Sequence, residues 1–451
     1  MQWMALVPPA LRGLTADGRL LFGTRIARLF AYGFLSVVLV LYLVEAGLSE
    51  ERIGLLLTLT LLGDTAVSLV LSTSADRFGR RRALVAGAGL MLLAGVVFAL
   101  TSNFTLLLLA ATIGVISPSG NEVGPFLPVE QAALTQIVPP REWTHVLAWY
   151  NLAGSFATAV GALSGGALIQ GLQGAGVSVL SSYKVVVVGY AAVGIVLAAA
   201  FSRVSTAVEA RAGTRDRDVG AGTLGLHRSR SVVLRLAGLF ALDAFGGGFV
   251  VQSIVAYWFH LRFGVAPAVL GGIFFGANVL AGVSALAAAR VAARIGLVNT
   301  MVFTHLPSNI LLMLVPLMPT LPLAIGVLLL RFSISQMDVP TRQAYTMAVV
   351  NPEERSAAAG VTGVARTTGA ALAPMFVGPM LASPALLGVP FFLAGSLKIL
   401  YDLLLYRNFR SLLPDGAGPR PEPRRDSGPQ GRSSEAAGRS RKPSTTMRSE
   451  A

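Results

Sequence analysis

Apolar runs recur along this chain with only short polar connections between them. About twelve stretches rich in Leu, Val, Ala, Gly and Phe fall near residues 23–45, 53–73, 83–101, 105–127, 145–170, 183–203, 236–259, 267–289, 299–318, 322–342, 357–382 and 388–406. Most have the roughly 17–25 residues that cross a bilayer as an α-helix. The runs are continuous rather than alternating, which predicts helices and not barrel strands. The expected fold class is all-α integral membrane, with twelve transmembrane helices.

Two polar segments interrupt this rhythm. The first, "STAVEARAGTRDRDVGAGTLGLHRSRS", divides the spans six and six. The second is the tail "PDGAGPRPEPRRDSGPQGRSSEAAGRSRKPSTTMRSEA", which has almost nothing apolar to bury and reads as disordered and solvated. The expected domains are a six-helix bundle over 1–204, a cytoplasmic loop over 205–232, a second six-helix bundle over 233–410 and a basic tail over 411–451.

Composition narrows the class. Only 13% of the 451 residues are charged and 54% are hydrophobic, against about 25% charged in an ordinary soluble domain. Too little charge is present to cover a soluble surface, so lipid must cover most of it. The net charge of +14 sits in short turns and tails rather than on one folded face, so no nucleic-acid partner is expected. Cysteine is absent, which excludes disulfides, thiolate metal sites and cysteine nucleophiles. The four histidines have no metal-ligand spacing, and no cofactor is expected. The first twenty residues show no basic stretch followed by an apolar run and a cleavage site, so insertion is expected to rely on the first span.

The charges also assign a topology. Arg77, Arg80, Arg81 and Arg82, then Arg141, the central loop, Arg290 with Arg294, and Arg355 all fall in alternate connections. The intervening connections "TSNF", "GLQGAGVSVLSS", "MPTLP" and "ASPALLGV" carry no Lys or Arg, and Arg52 and Arg262 are isolated exceptions. Positive charge collects on the cytoplasmic side, which predicts a multi-pass protein of the cell membrane with both termini cytoplasmic.

The halves repeat one another. "RIARLFAYGF" at 25–34 parallels "RLAGLFALDAF" at 235–245, and "PVEQAALTQIVPPREWT" at 128–144 parallels "PTRQAYTMAVVNPEERS" at 340–356. In the second pair Pro128/Pro340, Gln131/Gln343, Ala132/Ala344, Pro140/Pro352 and Glu142/Glu354 coincide at one spacing. Two pseudo-symmetric six-helix bundles around an axis along the membrane normal are a transporter architecture, with the solute site between them.

The connection "STSADRFGRRRAL" between the second and third spans resembles the signature of the major facilitator superfamily, roughly G-x-x-x-D-R-x-G-R-R/K. Asp76, Arg77, Gly79, Arg80 and Arg81 match, and Ser72 replaces the first glycine. A degenerate second copy is expected in "AARVAARIGLVNT", which keeps Arg294 and Gly296 and lacks the aspartate. The resemblance covers residues 1–410. It implies that this connection is a gating latch with a partner near Arg355 to Ala358, and that spans one, four, seven and ten line the cavity. The arginine that exporters of the family carry in span four has no counterpart; Glu122 stands in that span. "WYNLAGSFATAVGALSGG" resembles the glycine-rich fifth span of family exporters without its Gly-Pro, and close helix packing explains the same glycines.

Ionisable groups inside the bilayer cost about 2.5–3.5 kcal/mol each, so they need partners or a wet cavity. Asp64, Glu122, Asp243 and Asp338 are the candidates for carrying a coupling proton, with Glu122 and Asp338 favoured for their places on presumed cavity helices beside prolines and glycines. Arg331 and Arg366 fall near the midplane and could hold an organic anion or be neutralised by Asp338, Asp243 or Asp64. Tyr150 and Asn151 are further candidates for touching solute. Glu130 and Arg342 occupy equivalent repeat positions with opposite charge and are expected to pair across the halves at the cytoplasmic gate. Lys398 and Asp402, four apart in the last span, are expected to pair locally. Tyr257 and Trp258 are expected in the interfacial belt.

The function expected is secondary active transport of a small organic solute by alternating access, proton-coupled and more readily export than uptake. An organic-anion or phosphate-ester carrier using Arg331 and Arg366 is the alternative, and a non-transporting membrane sensor is the alternative of another class. Solute, protons and membrane lipids are the expected partners of a monomer. No nucleotide-binding G-x-x-x-x-G-K-[ST] is present and no constellation of catalytic groups is discernible, so an enzyme is not expected.

Overall fold

The computed structural model describes residues 13–139, 142–209, 227–351 and 354–410, with the side chains of Asp76, Thr144 and Ser356 outside the description. Residues 210–226 of the expected central loop and the expected tail lie outside it as well. Among the described residues the regular elements are all helical.

Among the described residues eight helical segments are long and apolar enough to cross a membrane, Arg230–Phe263 with its break at residues 249–251 among them, and Ala16–Ser36 with Leu39–Glu45, bent by 46°, makes a ninth. The other three expected spans fall on pairs of shorter helices: Phe104–Ile113 with Phe126–Ile137, Leu321–Phe332 with Asp338–Ala348, and Arg355–Leu372 with Pro374–Leu381. Spans one, four, seven and ten are all interrupted, at residues 37–38, 114–125, 249–251 and 333–337. The longest interruption has local causes: Pro118 and Pro125 withhold backbone donors, and Gly120 and Gly124 adopt φ of 71° and 79°, where side chains are disfavoured.

The second and third spans, Glu50–Phe78 and Arg80–Leu100, are joined by Gly79 alone, at φ 102°. Its counterpart Gly296, at φ 87°, joins Pro267–Ile295 to Leu297–Leu314 in the same way. A left-handed residue reverses the chain in one step, which is why glycine persists in the second copy although the aspartate is gone.

Packing follows the repeat. Span one packs on five and six, as seven does on eleven and twelve; three packs on six, as nine does on twelve; two packs on four, as eight does on ten. The halves meet where span five packs on eight and span two on eleven. Glycines set these approaches. A Cβ on Gly161 would stand 2.0 Å from the Phe30 carbonyl oxygen in span one, and one on Gly166 would stand 2.2 Å from that of Pro267 in span eight.

The hydrogen bonds that cross between the halves, among the described residues, lie at the breaks or beyond them on the side away from the termini. Gln252 Nε2 donates to Ser36 Oγ (2.8 Å), Ser253 N–H to the Pro118 carbonyl (3.1 Å) and Tyr257 Oη to Glu50 (3.0 Å). The interruptions of spans one, four and seven therefore meet one another. Tyr257 and Trp258 are buried, not interfacial. The short helix Gln252–Phe263 packs on the other half, which turns Tyr257 toward Glu50, and Trp258 lies tilted against Phe391 with ring centroids 4.7 Å apart.

Candidate functional site: two buried charge networks

On the terminal side of those breaks, each half carries a network of charges. In the N-terminal half, Arg25 and Arg28 lie one turn apart on span one and reach span four. Arg25 bonds Glu122 at 2.7 Å. Arg28 bonds Glu122 through Nε at 2.9 Å and grips Glu130 with both terminal nitrogens, at 2.8 and 2.6 Å. Two acids and two arginines therefore balance. The buried Tyr150 hydroxyl also donates to Glu130, while Thr24 Oγ1 donates to it at 3.2 Å. Arg25 stacks 4.4 Å over the Tyr150 ring and donates to Asn151 Oδ1 at 3.1 Å. Of the two polar solute candidates, Tyr150 is wholly buried within this network and Asn151 is exposed.

The C-terminal half uses the opposite polarity. Asp243 on span seven accepts from Lys398 Nζ (2.6 Å) and Arg342 Nη1 (3.3 Å), with His305 Nε2 at 3.7 Å. Asp338 also binds Arg342, at 2.9 Å. Asp402 is met by His305 Nδ1 (2.9 Å) and Asn309 Nδ2 (3.0 Å). Lys398 and Asp402 are thus not partners of each other. Both side chains turn inward, to spans seven and nine, because those spans supply charges that lipid cannot.

The same reason separates Glu130 from Arg342. Each is paired inside its own half, and among the described residues no bond joins the two across the expected gate. Asp64 behaves differently from the other acids. It is 8% exposed and accepts the Gly124 N–H at 2.6 Å, with no basic partner among the described residues. Ser68, one turn on, donates to the Gly124 carbonyl at 3.0 Å. Span two thereby clamps the interruption of span four. Arg331 and Arg366 likewise make no ion pair among the described residues, and the Nε of each is buried without a hydrogen-bond partner.

At the latch, Arg77 and Arg81 are exposed and the Asp76 side chain lies outside the described residues. Arg80 turns inward and donates to the carbonyls of Ala132 (3.2 Å) and Val208 (3.1 Å) and to Gln136 Oε1 (2.9 Å). Glu209 accepts from the backbone N–H of Arg80 (2.6 Å) and Arg81 (3.3 Å). These bonds tie Arg80 and Arg81 to span four and to the start of the central loop. On the other half, Glu354 accepts the N–H groups of His227, Arg228 and Ser229 at 2.8, 2.9 and 2.9 Å.

Sequence reading missed Arg28, Lys398, His305 and Asn309 as members of these networks. One signal was available for Arg28: Arg25 and Arg28 share a helix face, and a face carrying two arginines inside a membrane needs acids opposite.

Residues 21–434 match the sequence model of the Major Facilitator Superfamily. The uncharacterized membrane protein YJR124C of Saccharomyces cerevisiae is 32% identical over 417 residues, 86% of this chain and 93% of that protein. Among solved structures, a bacterial homolog of the human lysosomal transporter Spinster, in an inward-facing and unoccupied conformation, is similar with a TM-score of 0.66 at 16% identity, covering 89% of this chain and 96% of its own. A D-xylose–proton symporter has a TM-score of 0.66 at 14% identity, covering 86% and 97%. The human organic anion transporter MFSD10 has a TM-score of 0.58 at 17% identity, covering 88% and 100%. At these identities the likeness to the structures is one of fold.

Proposed function

We propose that this chain, which belongs to the major facilitator superfamily, is a proton-coupled secondary carrier of a small organic solute, working by alternating access in a cell membrane with both termini cytoplasmic. The observation that carries the reading is the one-sided seal. Hydrogen bonds join the halves at the breaks and beyond, while the charged networks on the terminal side are each closed within one half. Rocking the halves about the breaks would open the far side without breaking either network. Export is the direction that the glycine-rich fifth span favours.

For the proton, the geometry favours Asp64 over Glu122 and Asp338. Glu122 holds two arginines and Asp338 holds Arg342, so protonating either would strand buried cations. Asp64 has only a backbone donor and can take a proton without leaving a charge unpaired. Its bond to Gly124 ties protonation to the break in span four. The test is proteoliposomes loaded with a pH-sensitive dye and offered sugars, amino acids, carboxylates, phosphate esters and lipophilic cations in turn. At least one should move protons with wild-type protein, and Asp64→Asn should keep exchange of that solute while losing the proton signal. Solute flux without proton movement in the wild type would sink the coupling, and proton movement in Asp64→Asn would clear Asp64 of it.

A further inference from the structure

We infer that the solute is a small organic anion, and that Arg331 and Arg366 hold its carboxylate or phosphate group. Arg331 ends the helix Leu321–Phe332 at the interruption of span ten, and Arg366 lies on Arg355–Leu372 of span eleven. Both are within electrostatic range of Asp243 and Asp338. Those acids are engaged elsewhere: Asp338 by Arg342 at 2.9 Å, and Asp243 by Lys398 at 2.6 Å and Arg342 at 3.3 Å. Asp402 is taken by His305 and Asn309. Asp64 binds the N–H of Gly124 in the other half. Among the described residues neither guanidinium group makes an ion pair with these carboxylates.

Arg331 Nε, Arg366 Nε, Arg342 Nη2 and the Ser335 hydroxyl are buried without a hydrogen-bond partner, as are the Tyr401 hydroxyl, the Ser308 hydroxyl and Asn309 Oδ1 in the same half. Buried polar groups in native proteins are nearly always satisfied, so each orphan implies a missing partner. The guanidinium groups of Arg331 and Arg366, which make no ion pair among the described residues, each call for an acceptor rich in oxygen and negative in charge. Carboxylate and phosphate supply both, and a guanidinium binds either through paired parallel bonds. A sugar or a lipophilic cation would leave the positive charges uncompensated in a membrane interior, where that is costly.

The inference rests on the carrier reading only for the word solute; the binding site stands or falls separately. The experiment is thermal unfolding of the full-length protein in detergent at matched ionic strength. The probes are succinate, glycerol 3-phosphate, inorganic phosphate, chloride, glucose and tetraphenylphosphonium. Succinate or glycerol 3-phosphate should stabilise the wild type, and Arg331→Gln and Arg366→Gln should each weaken that binding about 10–100-fold, the worth of a charge-assisted hydrogen bond. The better of the two organic probes distinguishes a carboxylate from a phosphate ester. Stabilisation by chloride or inorganic phosphate to the same degree, by glucose or tetraphenylphosphonium alone, or by none of the probes overturns the proposal. So does organic-anion binding that survives in both variants. Should the glutamine variants not fold, Arg331→Lys and Arg366→Lys keep the charge and lose the planar fork: weaker binding supports the site, and unchanged affinity in both overturns it. Anion binding without flux in proteoliposomes would end the carrier reading and leave the site intact. Flux of a neutral solute, indifferent to both arginines, would do the reverse.

Discussion

Arg28 and Glu130 meet fork to fork between span one and span four, Nη1 to Oε1 at 2.8 Å and Nη2 to Oε2 at 2.6 Å, with neither side chain exposed. Such a pair adds little over a well-packed apolar alternative, yet removing one partner strands the other charge. Glu130→Gln should therefore cost roughly 3–5 kcal/mol of stability. Arg28→Met with Glu130→Leu together should cost much less than either change alone. Thermal unfolding in detergent measures all three. A Glu130→Gln protein as stable as wild type would mean that the pair carries no such load.

Lys398 and Asp243 are separated by 155 positions in sequence and 2.6 Å in space. Their variants should not add. Lys398→Met and Asp243→Asn combined should be more stable than the sum of the single effects by about 0.5–3 kcal/mol, the range for residues in direct contact. Lys398→Met combined with Asp402→Asn should show the smaller coupling, since Asp402 is held by His305 and Asn309. The opposite ranking would restore a local pair along the last span.

That pair shows where sequence reading stops. Apolar run length gives the existence of a span, because bilayer thickness fixes it, and the charge alternation gives its direction. Gly79 and Gly296 were legible because only glycine readily makes a one-residue reversal at positive φ. The spacing of Lys398 and Asp402 could not say which face of the last helix turns inward; only packing against spans seven and nine decides that. Arg28 and Glu130, 102 positions apart, are joined by tertiary packing alone. The break in span one carries no proline or glycine at residues 37–38, so nothing local announced it, whereas Gly246, Gly247 and Gly248 run directly into the break in span seven. The long interruption of span four did announce itself, in Pro118, Gly120, Gly124 and Pro125.

Glu354 gives a pH-dependent prediction outside the membrane. Its partial burial would raise the carboxyl, but the N–H groups of Ser229, His227 and Arg228 and the Ser229 hydroxyl outweigh that and hold it near about 2, against an ordinary 4.5. A carboxyl depressed on folding contributes stability above its unfolded value and loses it as pH falls through the folded one. The tie between the starts of spans seven and eleven should hold above about pH 4.5 and weaken progressively toward pH 2. Amide exchange at residues 227–229, corrected for intrinsic rates, should show protection that falls over this window. Glu354→Gln should remove the dependence; a wild-type profile in that variant would assign the protection to something else.

The seal itself can be loosened through its glycines. A Cβ on Gly378 would stand 2.4 Å from the Glu50 carbonyl oxygen, and one on Gly54 would stand 2.6 Å from that of Pro374, so spans two and eleven touch backbone to backbone across the halves. Gly166 and Gly271 do the same for spans five and eight, at 2.2 and 2.7 Å from opposing carbonyl oxygens. Backbone atoms cannot turn aside as a side-chain tip can, so an added methyl must push the halves apart at this side. Gly378→Ala and Gly166→Ala should shift the population toward the far-side-open state while sparing the networks within each half. Gly171→Ala, where nothing lies within 4 Å, is the matched control and should gain up to about 1 kcal/mol of helix propensity. Cysteines placed singly near residues 47 and 266, in a chain with no native cysteine, can be labelled from the far side. Faster labelling in Gly378→Ala and Gly166→Ala than in Gly171→Ala is the expected result. Equal rates in all three would mean that these contacts pack the halves without governing which side is closed.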